Sequence, residues 1–82
     1  MHDYHFEVRV TPRAGLLDPQ GKAIAGALHS LGFEGVGETR VGRLIRLDVK
    51  AADENAARAS VDEMCRKLLA NPVTEDYEVA LR

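Results

Sequence analysis

Asp18-Pro19, set between Gly15 and Gly21, constrains this chain more than any other stretch. An aspartate side chain accepts from the free N–H groups at a helix start. A proline fits the first helical position, where its missing N–H is not needed and its fixed φ is already helical. Gly15 permits a backbone turn that other residues resist. The segment Gly15-Leu16-Leu17-Asp18-Pro19-Gln20-Gly21-Lys22 therefore predicts one tight corner, ending an extended segment and starting a helix.

The segments on either side agree. Tyr4, Phe6, Val8 and Val10 alternate with His5, Glu7, Arg9 and Thr11, the period of a half-buried strand. Pro12 ends regular pairing there, because it has no N–H to donate. The first helix should run from about Pro19 to Leu31, with Ile24, Ala27, Leu28 and Leu31 on one face. Gly32 is expected to close it as a left-handed cap.

Beyond the short connection from Phe33 to Gly37, Val41, Arg43, Ile45, Leu47 and Val49 share one parity. Leu44, Arg46, Asp48 and Lys50 share the other. Val36 has the wrong parity for the first set, and a one-residue slip would flip every side chain. A bulge or bend is therefore expected between Gly37 and Gly42. Asp53 caps a second helix whose stripe is Ala57, Val61, Met64, Cys65 and Leu68. Asn71-Pro72 stops it. Tyr77, Val79 and Leu81 then alternate with Glu78, Ala80 and Arg82 as a last strand.

The order is β-α-β-(β)-α-β in one domain over residues 1–82. It implies an α/β (α+β) fold of ferredoxin-like order: two helices packed on one face of a small, mostly antiparallel, three- to four-stranded sheet. The outer face should carry His5, Glu7, Arg9, Arg46, Asp48 and Glu78, a mixed-sign surface suited to water or to a second sheet.

Composition narrows the function classes. A chain of 82 residues buries only about 60–65% of its unfolded surface, which favours self-association. A net charge of −2 with 29% charged residues does not favour nucleic acid or anionic membrane as a partner. No apolar run approaches the ~20 residues of a membrane span. Met1-His2-Asp3-Tyr4-His5 lacks the basic region and apolar core of a signal peptide. The single cysteine excludes an internal disulfide. A cytoplasmic protein is the expectation.

No catalytic constellation emerges. Cys65 lies in an apolar stripe, where a thiol behaves as a small hydrophobe. His2 and His5 lack a third metal ligand nearby. His29 faces away from the Leu28 stripe. Glu75 and Asp76 are adjacent on a strand and point to opposite faces, which is poor for paired acid–base work. Arg40, Arg43 and Arg46 form the strongest charged cluster, a group able to hold a carboxylate or phosphate. Neither a stacked-aromatic RNA platform nor a glycine-rich nucleotide loop is present. The residues describe a module whose surface is its function, with no catalytic, cofactor-binding or metal site.

Three words in the sequence resemble a known family. They are Gly15–Gly21, Val41-Gly42-Arg43-Leu44-Ile45-Arg46-Leu47, and Met64–Val73 followed by Glu75-Asp76-Tyr77. Together they resemble the PurS family, the small subunit of phosphoribosylformylglycinamidine (FGAM) synthase, over nearly the whole chain. The resemblance implies a non-catalytic subunit of a ligase complex in de novo purine biosynthesis. That complex converts formylglycinamide ribonucleotide, glutamine and ATP to formylglycinamidine ribonucleotide. As a homodimer or higher homo-oligomer, such a subunit bridges a PurL-type synthetase and a PurQ-type glutaminase and supports ammonia transfer. The family pattern places interface candidates at Gln20, Gly21, Arg40, Gly42, Arg43 and Asn71, and structural positions at Gly15, Asp18, Pro19, Gly32 and Pro72; it also includes Leu17 and Tyr77. Arg43 stands where the family usually has lysine, Thr74 where it has an aliphatic residue, and Leu16 where valine is common.

A different class shares the element order. ACT-like regulatory modules bind amino acids at dimer interfaces near the first strand–helix corner, and Gly15–Gly21 would suit such a site.

Overall fold

A computed structural model describes residues 1–82. The strands are β1 (His2–Pro12), β2 (Arg43–Ala51) and β3 (Glu75–Leu81), and the helices are α1 (Pro19–Ser30) and α2 (Glu54–Met64). A π-turn, Cys65–Leu69, continues α2. The sheet is antiparallel throughout, in the order β2-β1-β3. The fold is therefore the α+β class expected, with three strands. Residues 38–42 have no regular structure, so the middle extended segment is a bent approach followed by one strand.

β1 organises the sheet because it pairs on both edges. Phe6 sits opposite Leu47 on one side and Leu81 on the other; Val8 sits opposite Ile45 and Val79. Phe6, Val8 and Val10 are fully buried. Their parity face meets Ala57, Val61 and Cys65 of α2 and its π-turn, also fully buried. Asp53 caps α2 by accepting from the Ala56 N–H at 2.8 Å. Tyr77 Oη on β3 donates to Asp62 Oδ1 on α2 at 2.5 Å, fastening the helix to the far strand.

The end of α2 departs from the simple helical stripe. The Ala70 N–H donates to the Cys65 carbonyl at 3.0 Å, five residues back, so the last turn is wider than α. The wider turn brings Leu69 and Ala70 towards the core and turns Leu68 out, leaving it 82% exposed. A strict 3.6-residue period put Leu68 inward.

The two helices share the sheet unequally. α2 lies across it. α1 is capped as expected, and Gly32 ends it at φ +99°. The Phe33 N–H reaches the Leu28 carbonyl and the Gly32 N–H the His29 carbonyl, each at 3.0 Å, the paired bonds of a Schellman close. Gly21 is the one buried residue of α1, however, and Leu31 is 73% exposed. The stripe expected to lie on the sheet instead stands off its end. The chain is accordingly long and thin, 52 × 24 × 14 Å, with a radius of gyration of 16.3 Å where a compact chain of this length has about 12 Å.

Candidate functional site

The residues singled out from sequence gather at one end of the sheet, where β1 stops, α1 starts, and β2 and β3 begin. Asp18 is the centre of the corner. Its Oδ1 accepts from the Gly21 N–H at 3.0 Å, the capping bond. Its Oδ2 accepts from the Val41 N–H at 2.9 Å. One carboxylate thus joins the first turn of α1 to the segment entering β2. These N–H groups, Val41 first and Gly21 second, hold its carboxyl below the usual carboxylate range.

Two glycines allow that approach. A Cβ on Gly21 would lie 2.1 Å from the Thr39 carbonyl oxygen. One on Gly42 would lie 2.0 Å from the Val10 carbonyl oxygen. Both are required by the backbone crossing alone. Gly15 turns the chain out of β1 at φ +82°. Pro19 occupies the first helical turn.

Arg43 and Asn71 also have partners within the chain. Arg43 meets Glu75 with both terminal nitrogens, at 2.9 and 3.1 Å, and donates to the Leu69 carbonyl at 2.6 Å. Glu75 Oε1 also accepts from the Asn71 N–H at 2.8 Å. Arg43, followed by that N–H, holds the Glu75 carboxyl low. Asn71 Oδ1 accepts from the Val73 N–H at 2.9 Å, shaping the turn before β3. Pro72 offers its carbonyl to Arg13 at 2.7 Å.

Arg40, Arg43 and Arg46, expected to form one cluster, do not converge. Arg43 points to Glu75 on the α2 side of the sheet. Arg46 points to Glu7 on the opposite face at 3.3 Å. Arg40 donates to the Pro12 carbonyl at 3.3 Å beside the corner. Gln20 is exposed and makes no side-chain hydrogen bond. Of the six interface candidates, Gln20 and Arg40 therefore keep the most surface free of internal duties.

Sequence reasoning missed Arg13 and the arginine partners of Glu75 and Asp76. Arg13 Nε lies 3.2 Å from Asp76 Oδ1. Adjacent Glu75 and Asp76 do point to opposite faces, and each meets a different arginine. Only the β1–β3 register, Pro12 opposite Glu75 and Thr11 opposite Asp76, brings these pairs together.

A cleft of about 410 Å³ lies at this corner, lined by Pro12, Leu16, Leu17, Thr74 and Glu75, and two more flank these features. One, of about 300 Å³, lies between α1 and residues 37–40 and is lined by Leu16, Leu17, Asp18, Lys22, Thr39 and Arg40. The other, of about 390 Å³, lies between α2 and β2 and is lined by Leu47, Ser60, Met64, Leu68 and Leu69, with Glu63 and Lys67 beside them. The outer sheet face is a charge lattice, as expected. Glu7 gathers Arg46 and Arg82 at 3.3 Å and Arg9 at 3.6 Å, and His5 meets Asp48 at 2.5 Å. No helix is long and apolar enough to cross a membrane.

Fold and site together define a small α+β module: an antiparallel sheet covered by one helix, with a second helix braced off its end through an aspartate-capped corner. Comparison with known proteins gives this class its particular family. The chain belongs to the PurS family: the family model described as "Phosphoribosylformylglycinamidine (FGAM) synthase" matches residues 5–82. It is 45% identical over 76 residues to the phosphoribosylformylglycinamidine synthase subunit PurS of Synechocystis sp., covering 93% of this chain and 76% of that protein. It superimposes on a chain of the Thermotoga maritima PurLQS structure with a TM-score of 0.91 and 34% identity, covering 100% of both chains. It matches Methanocaldococcus jannaschii PurS, described as one of the subunits of formylglycinamide ribonucleotide amidotransferase in the purine biosynthetic pathway. That match has a TM-score of 0.80 and 38% identity, covering 96% of this chain and 95% of the other.

Proposed function

We propose that this chain is the PurS subunit of FGAM synthase. It acts in the cytoplasm as a homodimer that bridges a PurL-type synthetase and a PurQ-type glutaminase, so that ammonia released from glutamine reaches the synthetase. The observation that carries the reading is the full-length match to a chain of the Thermotoga maritima PurLQS structure. Two features of this chain support it. Its chemistry is held in ion pairs and caps that brace the fold, as a bridging subunit requires. It also leaves apolar side chains uncovered in groups, Leu16 with Leu17 at one cleft and Met64 with Leu68 at another, and contiguous apolar patches mark interaction surfaces.

Reconstitution tests this. Synthetase and glutaminase subunits from the same cell are assayed with and without the chain, using glutamine or ammonia as nitrogen donor. Glutamine-dependent product formation should require the chain, and ammonia-dependent formation should not. Glutamine-dependent activity that is unchanged when the chain is left out overturns the proposal.

A further inference from the structure

We propose that the outer face of the sheet docks an acidic segment of a partner protein, read by three arginines fanned around Glu7. The inference rests on the bridging reading above and says which face meets a bridged subunit and by what chemistry.

The first observation is an unequal division of work among the arginines. Arg13, Arg40, Arg43, Arg58 and Arg66 each donate a side-chain hydrogen bond within the chain. Arg9, Arg46 and Arg82 donate none, and all three stand on the face away from α2. Five arginines therefore brace the fold, and the three that do not are on one surface.

The second observation is that the pleat brings these three to one point. Arg46 lies directly opposite Glu7 on β2, and Arg9 lies two residues along β1. Arg82 is held beside them by its own N–H, which donates to the His5 carbonyl at 2.7 Å. Arg46 and Arg82 approach the same oxygen, Glu7 Oε1, through Nε at 3.3 Å, and Arg9 approaches Oε2 at 3.6 Å. One carboxylate cannot fill three guanidinium groups, each with five N–H donors. Their side chains are 46–62% exposed, against 16% for Glu7, so the unfilled donors face outwards. β1 is paired on both edges, which gives the cluster a rigid base and lowers the cost of binding.

The surroundings select the occupant. A guanidinium takes a carboxylate through two parallel hydrogen bonds, and arginine is enriched where proteins meet. The other carboxylates of this face limit how far an anion can extend. Asp48 pairs with His5 at 2.5 Å, Asp3 with Lys50 at 3.9 Å and Asp76 with Arg13 at 3.2 Å. Glu78, opposite Arg9 in the register, has no cation within ion-pair distance. A continuous polyanion such as nucleic acid would meet these carboxylates on both sides. A short acidic segment meets only the arginines, and a cation flanking it would meet Glu78. Complementary charge of this kind sets partner choice and register.

The test titrates the chain into purified synthetase and into purified glutaminase subunits from the same cell. Calorimetry compares the wild type with the Arg9→Gln, Arg46→Gln double variant and with Glu7→Gln. Circular dichroism reads the fold, and light scattering reads the homo-oligomer. One of the two subunits should bind the wild type. The double variant should bind it roughly tenfold more weakly, with fold and oligomer unchanged. Glu7→Gln removes the competing carboxylate and should tighten binding; a cluster that only braces the sheet gives no such gain. Added salt should weaken the wild type more than the double variant. Unchanged binding by the double variant, weaker binding by a folded Glu7→Gln chain, loss of binding through a change of oligomer, or preference for a single-stranded oligonucleotide over both subunits overturns the inference. Reconstitution separates the two readings. A double variant that binds as the wild type does, in a system whose glutamine-dependent activity requires the chain, defeats this inference and leaves the bridging function standing. A wild-type chain that binds neither subunit and supports no activity defeats both.

Discussion

Arg43 and Glu75 form a two-pronged ion pair, at 2.9 and 3.1 Å, between the first residue of β2 and the first residue of β3. These strands do not touch, since β1 lies between them. The pair closes the end of the sheet and, through the Leu69 carbonyl, ties the π-turn to it. Arg43→Ala should lower stability by about 1 kcal/mol, the upper end for a partly exposed pair. For a domain this small that is a fall of roughly 4–8 °C in Tm. Arg43→Lys should recover only part of it, because a lysine cannot make the planar fork. Thermal denaturation of the two variants checks both statements.

Acid should act through the same carboxylate and through Asp18. Their folded-state values lie below 4.5 and 3.8, the ordinary values for Glu75 and Asp18. The unfolded chain therefore binds protons first, and stability falls as pH drops below those ordinary values towards the folded ones. Stability is fully present above about pH 5. Urea midpoints measured from pH 7 down to pH 3 should decline. The decline should be shallower in Glu75→Gln, whose side chain no longer titrates.

Gly21 and Gly42 should be intolerant and Gly26 tolerant, although none of the three has a positive φ. A methyl group at Gly21 or Gly42 meets a backbone carbonyl oxygen at 2.1 or 2.0 Å; at Gly26 it meets nothing within 4 Å. Gly21→Ala and Gly42→Ala should each cost about 2–4 kcal/mol, in the range of severe overpacking. Gly26→Ala should stabilise by about 0.5–1 kcal/mol through helix propensity. Chemical denaturation at one protein concentration separates the three.

Cys65 should be silent to thiol reagents. It is fully buried, and burial first, with Asp62 second, pushes its thiol above the usual range. Its reaction with Ellman's reagent should proceed only through opening. With stability of about 5 kcal/mol, that makes it at least roughly a thousandfold slower than in urea. Fast labelling of the folded protein would contradict this placement.

The sequence disclosed what local chemistry decides. The Asp18 cap, the Gly32 close, the Asp53 cap and the parity of β1 and β2 follow from side-chain oxygens, left-handed φ and alternation, and all are present. Two features lay outside that reach. The π-turn at Cys65–Leu69 shifts the inward positions by one, and a 3.6-residue period cannot foresee a five-residue bond. The arginines looked like one cluster because they are close in sequence. The pleat and the β1–β3 register send Arg43 and Arg46 to opposite faces and bring Arg13 and Glu75, far from each other in sequence, to the same end.

The central place of β1 bears on how the chain is made. The strand that carries Phe6, Val8 and Val10 is made before both of its neighbours, and β3 follows it only after α1, β2 and α2. β1 therefore waits with a bare edge and an uncovered apolar face until α2 and β3 have been made. The contacts that protect it are among the most distant in sequence, and such contacts form slowly. Glu7 and Arg9, charges on the other face of β1, are the kind of residue that discourages a bare strand from pairing with another chain.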